Sequence, residues 1–266
     1  MQRNMLVVYT IPRTEEQKSS LDTVKSLLKK YKVNYGIANR DKLSIAQFKN
    51  KDLIIAVGGD GTFLRAAQFA NKQLLFGVNA EVKDKEGFFM KSDKANFEAK
   101  LRNILNNDFQ IRKLPRLEAY INNKKIDALA LNEFFIGPRK SYHAAKYVIE
   151  TGGKQERQKS SGVLVTTPVG SYAWAKSCCN RSSCNNTLPL DSEDYQFVVR
   201  EPYEGNVFKN YKLIYGVLNK SQKISILSEM LDGILIADSV GREYGLKNGS
   251  KATIGLSDHF ISVIWE

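Results

Sequence analysis

The sequence predicts an α/β domain built on a parallel sheet, followed by a second domain rich in β-strands. In the first hundred residues, short apolar runs alternate with longer stretches of helical periodicity, as in βαβ units. From about residue 110, short strand candidates recur at even spacing with turn residues between them. A glycine-rich segment, residues 56–62, joins an apolar strand to a helix in the first part. We therefore place the domains at residues 1–109 and 110–266.

Composition limits the classes of function. The chain has 266 residues, of which 42% are hydrophobic, enough for two modest cores. Lys and Arg outnumber Asp and Glu by 40 to 28, and this excess favours anionic partners such as nucleotide phosphates. There is no apolar run of membrane-spanning length, and we expect no signal peptide. The three cysteines (Cys178, Cys179, Cys184) form no metal-spaced set with the two histidines, so we expect reduced thiols in a cytoplasmic protein.

Four apolar runs predict the strands of the parallel sheet, at residues 5–9, 33–37, 53–57 and 74–78. Residues 14–31 predict an amphipathic helix, with leucines and a valine on one face and two glutamates in its first turn. A helix at about residues 93–106, capped by Ser92, closes this domain.

A hairpin of residues 116–121 and 126–136 opens the second part. The polar segment Gly152–Ser161 is expected to be a flexible loop. Evenly spaced strands of this kind predict a sandwich or a barrel-like domain. The remaining strand candidates are residues 147–150, 163–166, 195–199, 212–217, 223–227, 233–237, 251–255 and 261–264.

The segment Gly58-Gly59-Asp60-Gly61-Thr62 follows the third strand, and the apolar spacing of residues 63–70 predicts a helix after it. Glycines let the backbone turn sharply and approach a ligand, and the amides of such a turn suit phosphate. A carboxylate at Asp60 would repel phosphate unless it holds a metal or takes a proton from an attacking hydroxyl. This combination points to phosphoryl transfer. The alternative is a plain turn in which Asp60 caps the helix.

Two further segments place polar residues where a ligand could bind. Asn132 and Glu133 lie side by side in an apolar strand and need hydrogen-bond partners, which a ribose or an adenine edge would supply. An internally satisfied pair is the alternative. Residues 166–171, Thr-Thr-Pro-Val-Gly-Ser, lead from an apolar strand into a small-residue helix. Gly170 could approach an anion or ribose and Trp174 could stack on a base, although an ordinary helix cap explains this segment equally well.

In this order, the three motifs resemble those of the NAD kinase family. Gly-Gly-Asp-Gly-Thr alone is shared with diacylglycerol and sphingosine kinases, which lack the Asn-Glu and Thr-Pro-x-Gly-Ser motifs. The pair Gly77-Val78-Asn79 and Gly87-Phe88-Phe89 also resembles a family pattern. Residues 170–174, Gly-Ser-x-Ala-Trp, resemble the corresponding segment of the mitochondrial and plant-type branch of the family. Residues 200–203 resemble that branch as well. Ser161 stands where many members have Asp. Asp238 resembles the Asp of a late Asp-Gly pair, with Ser239 in place of the Gly, and is expected to be structural.

The resemblance implies transfer of the terminal phosphoryl group of ATP, or of polyphosphate, to the adenosine 2′-hydroxyl of NAD, with Mg²⁺ as the divalent metal. It implies that Asp60 is the catalytic base or a metal ligand. The implied phosphate- and nucleotide-binding residues are Gly58, Gly59, Gly61, Thr62, Phe63 and Arg65. The implied NAD-binding residues are Asn79, Asn132, Glu133, Lys159, Thr167, Gly170, Ser171, Ala173 and Trp174.

The resemblance further implies a homo-oligomer, a dimer or a tetramer, that binds NAD and a nucleoside triphosphate. We expect neither a membrane partner nor a specific nucleic-acid partner. The residues alone are also compatible with two other classes of function. One is a lipid kinase of the diacylglycerol or sphingosine kinase type. The other is a non-catalytic protein that binds NAD(P) or nucleic acid.

Overall fold

The structure is a computed structural model that describes residues 3–84, 86–179 and 187–265. It divides into two compact units, Met1–Lys113 with Ile261–Glu266, and Leu114–Phe260. The described helices are α1 (Glu15–Lys30), α2 (Ile45–Phe48), α3 (Asp60–Ala67), α4 (Phe97–Leu105) and α5 (Trp174–Cys179). None of them is both long and apolar enough to cross a membrane.

The strands, in chain order, are β1 (Asn4–Tyr9), β2 (Asn34–Asn39), β3 (Leu53–Gly58), β4 (Leu74–Asn79), β5 (Met90–Asp93), β6 (Ile111–Leu114), β7 (Leu117–Ile121), β8 (Lys124–Ala130), β9 (Glu133–Pro138), β10 (Ala145–Thr151), β11 (Lys154–Ser160), β12 (Gly162–Thr166), β13 (Tyr195–Arg200), β14 (Tyr215–Leu218), β15 (Ile224–Ser228), β16 (Gly233–Ala237), β17 (Tyr244–Gly245), β18 (Lys251–Leu256) and β19 (Ile261–Ile264).

The first unit contains a largely parallel sheet in the order β2-β1-β3-β4-β19-β6, with β5 also paired to β4. Every residue of β3 is buried, as expected for a central strand covered on both faces. Helix α1 begins after Thr14, whose hydroxyl accepts a hydrogen bond from the amide of Gln17. An α/β domain with a parallel sheet is therefore confirmed.

Two elements of this unit differ from the sequence prediction. Ser92 does not cap a helix, because it lies in β5, and α4 begins only after Asn96. The Asp93 carboxylate accepts hydrogen bonds from the amides that follow it, and this turn delays the helix. The final strand, β19, was expected among the strands of the second domain but pairs in parallel with β4. Its apolar pattern predicts a strand without predicting which sheet it joins.

The second unit is a sandwich of two antiparallel sheets, which confirms the predicted β-rich fold. In the described part of the chain, one sheet has the order β11-β10-β15-β18-β7-β8 and the other β14-β13-β12-β9-β16-β17. Buried side chains of both sheets form one hydrophobic cluster, with Tyr147 and Ile226 from the first sheet and Phe134 and Val163 from the second.

Gly152–Ser161 is not a flexible loop, because residues 154–160 form β11, which pairs with β10 along its whole length. Gly152 and Gly153 have φ values of +55° and +72°, the left-handed pair of a two-residue hairpin turn. The strand lies at the end of its sheet, where polar side chains are tolerated. The predicted strand at residues 126–136 is likewise two strands, β8 and β9, interrupted at Leu131 and Asn132.

Candidate functional site

The Asp60 carboxylate is held at the start of α3. Gly59 is the N-cap, so Asp60 is the first helical residue rather than the middle of a loop, and the helix dipole favours an acid there. Its Oδ2 accepts a hydrogen bond from the amide of Phe88 and its Oδ1 from the amide of Phe89, both at 2.9 Å. Each carboxylate oxygen has further acceptor capacity. Asp60 is thus fixed in orientation and still able to meet a proton or a cation.

Asp60 lines a cavity of about 650 Å³ at the carboxyl ends of the parallel strands, the edge where open α/β sheets bind ligands. The lining comes from the segments that follow β1, β2, β3 and β4, and from Gln17 of α1. Its residues are Thr10, Ile11, Arg13, Gln17, Arg40, Asp41, Gly59, Asp60, Gly61, Thr62, Glu81, Glu86 and Gly87.

Two arginines of this cavity were not singled out from the sequence. Arg40 lies directly after β2, and its Nη1 donates a hydrogen bond to the Oγ1 of Thr62 at 3.3 Å. Its Nε lies 3.4 Å from a carboxylate oxygen of Asp41. Arg13 follows β1 at the same edge. The available signal was position, since a basic residue that follows a predicted parallel strand reaches the edge where ligands bind.

The glycines of the motif serve close packing more than backbone freedom. A Cβ added at Gly58 would lie 2.4 Å from Thr62 Oγ1, so Gly58 lets the end of β3 pack against α3. Gly59 has a φ of −127°, which is open to any residue. At Gly61 the nearest atom to an added Cβ is Arg40 Nη1, at an ordinary contact distance of 3.5 Å.

Besides Gly58, three residues of the first unit that were expected at the phosphate or NAD site are not among those that line this cavity. Phe63 is buried and stacks on the ring of Phe89. Arg65 lies over the ring of Phe69, and partial burial lowers the pKa of its guanidinium. Asn79 is buried, and its Oδ1 accepts a hydrogen bond from the amide of Glu81 at 3.0 Å.

In the second unit, the turn at Leu131 and Asn132 is held by Asp238. The amide of Asn132 donates to Oδ1 of Asp238 at 2.6 Å, and the amide of Leu131 donates to Oδ2 at 3.1 Å. These amides bond a buried carboxylate instead of a neighbouring strand, which explains the break between β8 and β9. Asp238 therefore shapes the segment that carries the Asn-Glu pair.

The structure brings the second and third motifs together. The carbonyl of Asn132 accepts hydrogen bonds from Thr166 Oγ1 at 3.0 Å and from the Thr167 amide at 2.9 Å. Thr167 Oγ1 donates to the carbonyl of Leu131 at 2.6 Å and accepts from the Gly170 amide at 3.0 Å. A Cβ at position 170 would lie 2.0 Å from the Asn132 carbonyl oxygen, so this contact requires glycine.

The side chain of Asn132 has a buried, unsatisfied acceptor. Asn132 is 8% exposed, and its Oδ1 has no hydrogen-bond partner among the described residues. A buried acceptor without a donor costs about 1–3 kcal/mol. A ligand with an amino or hydroxyl donor would satisfy it, which distinguishes Asn132 from the internally satisfied pair considered above.

Glu133 has an unusual protonation equilibrium. Burial, and secondarily the charge of Asp238, raise the pKa of Glu133 to about 8, although the hydroxyl of Ser239 opposes this shift. Burial likewise raises the pKa of Asp238 to about 6, against the backbone hydrogen bonds that it accepts. At neutral pH, Glu133 is mostly a neutral carboxyl, which can donate one hydrogen bond as well as accept others.

Three more of the expected NAD contacts lie in the helical segment that follows β12. Ser171 is buried, and its hydroxyl bonds the carbonyl of Pro168 and the amide of Leu188. Ala173 is half-buried and precedes Trp174, whose ring packs on Phe135 and under the guanidinium of Arg200.

Lys159 is not brought close to Asn132. It precedes β12, whereas Thr167 follows it, and five strand residues span about 16 Å. Its Nζ lies over the ring of Tyr203, at 4.2 Å from the centroid. Of the cysteines, Cys178 is a free thiol, and Cys184 lies outside the described residues.

Comparison with known proteins finds similarity to NAD and NADH kinases in both sequence and fold. Residues 3–109 match the family model described as the ATP-NAD kinase N-terminal domain. The chain is 24% identical to a probable NADH kinase of rice (Oryza sativa subsp. japonica) over 96% of this chain and 83% of that protein. It is 33% identical to an NAD kinase of Picrophilus torridus, where the match covers 47% of this chain and less than half, 45%, of that enzyme.

Two solved structures share the fold over nearly the whole chain. The NAD kinase of Archaeoglobus fulgidus in complex with ATP superposes with a TM-score of 0.77 at 22% identity, covering 98% of this chain and 93% of that one. The yeast NADH kinase complexed with NADH has a TM-score of 0.81 at 16% identity, covering 99% and 83%. Residues 3–109 thus match an NAD kinase N-terminal domain, and the whole chain is similar in sequence to a probable NADH kinase and has the fold of NAD and NADH kinases.

Proposed function

We propose that this protein transfers the terminal phosphoryl group of ATP to the adenosine 2′-hydroxyl of NAD and so forms NADP. The observation that carries the proposal is Asp60, an oriented carboxylate that lines a cavity with two arginines at the carboxyl edge of a parallel sheet. An acid among cations and helix amides suits a reaction in which one hydroxyl loses its proton while phosphate oxygens gain negative charge.

In the reaction, the 2′-oxygen of NAD forms a bond to the terminal phosphorus of ATP, and the bond from that phosphorus to the bridging oxygen of ADP breaks. Asp60 accepts the proton of the 2′-hydroxyl. The amides at the start of α3, with Gly59, Gly61 and Thr62, bind the phosphates. Positioning of the two reacting atoms supplies much of the rate in this chemistry.

Mg²⁺ fits the carboxylates of this cavity, because hard cations prefer oxygen ligands. The described residues contain no cluster of three or more acids, histidines or cysteines that would hold a metal alone. Asp60 would therefore share the ion with phosphate oxygens of the donor. The ion would neutralise the charge that develops on those oxygens.

Asn132 and Glu133 would bind the adenosine part of NAD. The buried Oδ1 of Asn132 accepts from an amino or hydroxyl group of the ligand, and Glu133 bonds a ribose hydroxyl. Thr167, Gly170 and Ser171 shape this segment, and Asn79, Lys159, Ala173 and Trp174 stay proposed contacts of NAD. Gly58, Phe63 and Arg65 stay proposed residues of the phosphate- and nucleotide-binding site.

Purified protein tests the proposal directly. Incubation with NAD, Mg²⁺ and ATP should yield NADP and ADP in equal amounts, and replacing ATP by polyphosphate identifies the donor. Parallel reactions with NADH determine the preferred acceptor. If NADP fails to form with either donor, and liposome-bound lipid is phosphorylated instead, the lipid kinase alternative replaces this proposal.

We also propose that the protein is a homo-oligomer, a dimer or a tetramer, and that it works in the cytoplasm. The two sheets of the second unit end in strands that would otherwise present open edges. Analytical ultracentrifugation over a range of concentrations measures the assembly, and a monomer at every concentration contradicts it. Cell fractionation tests the location.

A further inference from the structure

Arg40 lies at the positive end of helix α3. Its Nη1 bonds the hydroxyl of Thr62, the third residue of that helix, and lies 3.5 Å from the position of a Cβ at Gly61. A guanidinium has five N–H donors. In the described part of the chain its polar partners are Thr62 and Asp41, so donors remain for a further acceptor.

The start of α3 is a place where an anion is favoured over a cation. The N-terminal turn of a helix carries a partial positive charge, and a cation there costs stability where an anion would gain it. Asp60, the first residue of the helix, offsets part of this positive charge. Arg13 adds a second cation to the same cavity. The lining also contains the carboxylates of Asp41, Asp60, Glu81 and Glu86, so the attraction for a phosphate chain is local to the two guanidinium groups and the amides at the start of α3.

The ion pair with Asp41 does not by itself explain why an arginine stands at position 40. The Arg40 side chain is 36% exposed and that of Asp41 is 64% exposed, and exposed ion pairs contribute little to stability. The contact with Thr62 is different, because Thr62 is almost fully buried and belongs to the glycine-rich motif. The guanidinium is therefore held over the segment where the phosphates of the donor would lie.

We propose that Arg40 is a catalytic residue of the phosphoryl transfer, one that binds the triphosphate chain of the donor and neutralises charge on it as the terminal group leaves. This inference rests on the proposed function. According to this proposal, the segment after β2 helps the glycine-rich motif to bind the phosphates of the donor by adding a cationic side chain. Because a guanidinium can bond two phosphate oxygens at once, lysine is an incomplete substitute.

The test compares Arg40→Ala and Arg40→Lys with Lys42→Ala, which removes the same charge from an exposed position in the same turn. The value of kcat/KM for ATP should fall about 10- to 100-fold in Arg40→Ala, less in Arg40→Lys, and not in Lys42→Ala. The KM for NAD should stay unchanged. A purely structural role would change both substrates alike.

Thermal melting with inorganic tripolyphosphate and Mg²⁺ measures binding without turnover. Tripolyphosphate should raise the Tm of the wild type and of Lys42→Ala, and raise that of Arg40→Ala much less. Without the anion, Arg40→Ala should melt close to the wild-type temperature, because the exposed pair with Asp41 contributes little to stability. If Arg40→Ala does not fold, the tripolyphosphate shift of Arg40→Lys is compared with that of the wild type instead.

A wild-type kcat/KM for ATP together with a wild-type tripolyphosphate shift in folded Arg40→Ala or Arg40→Lys overturns the inference. Failure of the proposed function looks different, since the wild type would then make no NADP. In that case a tripolyphosphate shift that depends on Arg40 still supports Arg40 as a triphosphate contact.

Discussion

The rings of Phe63 and Phe89 lie parallel, with centroids 4.7 Å apart. Phe63 belongs to α3, the helix that begins at Asp60, and the amide of Phe89 donates a hydrogen bond to the Asp60 carboxylate. One buried aromatic pair thus joins the helix that carries the acid to the segment that orients it. Phe88, the other donor to Asp60, packs edge-on against Trp265 near the end of the chain.

Replacement of Phe63, Phe89 or both by leucine tests this link. Stacked aromatic pairs contribute about 0.5–1.5 kcal/mol beyond their burial, so the double variant should show a coupling of that size in its free energy of unfolding. We expect kcat to fall with little change in the KM for NAD, because Asp60 loses part of its support. Urea denaturation and steady-state kinetics of the three variants measure both effects. Strictly additive losses of stability would show that the two rings act independently.

Gly58→Ala tests the close packing of the glycine-rich motif. The new Cβ would lie 2.4 Å from Thr62 Oγ1, so β3 and α3 must separate and the start of the helix must shift. We expect a loss of stability of about 1–3 kcal/mol, as in other overpacked sites, together with weaker binding of tripolyphosphate.

Gly36→Ala, in β2 of the same sheet, is the matched control, because the nearest atom to its Cβ is a side-chain carbon at 3.5 Å. It should melt close to the wild type. Equal losses in the two variants would mean that glycine is required for sheet formation in general and not for the motif.

The sequence predicts the sheet of the first unit well because its strands are continuous apolar runs. It predicts Asp60 as a site residue because a carboxylate among glycines has little use in a plain turn. Arg40 and Arg13 escape notice because arginine is frequent in this basic chain, and only the parallel order of the strands brings these two residues to one edge.

Other features depend on contacts between distant parts of the chain. The break before Glu133 arises because Asp238, more than a hundred residues later, takes the amides of Leu131 and Asn132. Strand β19 joins the parallel sheet because β4 offers it an edge, which no local pattern reveals. The pKa of Glu133 follows from the same burial and could not be read from its apolar neighbours in sequence.

Glu133→Gln tests the protonation of the buried carboxyl. Burial raises the pKa of Glu133 from 4.5 to about 8, so between these pH values the folded protein keeps a proton that the unfolded chain has released. The free energy of unfolding must then decrease as pH rises through this window. Glutamine is neutral throughout, so the variant should lose part of this slope and exceed the wild type in stability at pH 8.

Urea unfolding between pH 6 and pH 8 gives the clearest reading, because the pKa of Asp238 is about 6 and its own contribution lies mostly below that range. Exposed Glu150→Gln, in β10, is the control and should keep the wild-type slope. At pH 7 the KM for NAD should change little in Glu133→Gln and rise in Glu133→Ala, because glutamine keeps both a donor and an acceptor. An unaltered pH slope in Glu133→Gln would show that the carboxyl is ionised in the folded protein.

Asp60→Asn tests the acid on which the proposed reaction depends. The amide keeps the shape of the side chain but removes its negative charge and its basicity. Loss of a general base costs about 10² to 10⁴ in rate, and loss of a metal contact would add to this. We therefore expect kcat to fall by at least that factor, while affinity for ATP changes less, since a repulsive charge has also been removed.

Asp60→Asn also affects stability, because the carboxylate holds two backbone amides. Both oxygens of Asp60 accept amide hydrogen bonds, and an asparagine can accept only one of them, because its NH₂ group would face the other donor. The variant should thus lose about 0.5–1.5 kcal/mol of stability, the net contribution of one hydrogen bond, while remaining folded. Tripolyphosphate melting curves separate this loss from the effect on catalysis, since the amides at the start of α3 still bind the anion. A folded Asp60→Asn protein that binds tripolyphosphate and turns over at the wild-type rate would leave Asp60 as a clamp for residues 88–89 alone, and another group would have to take the proton.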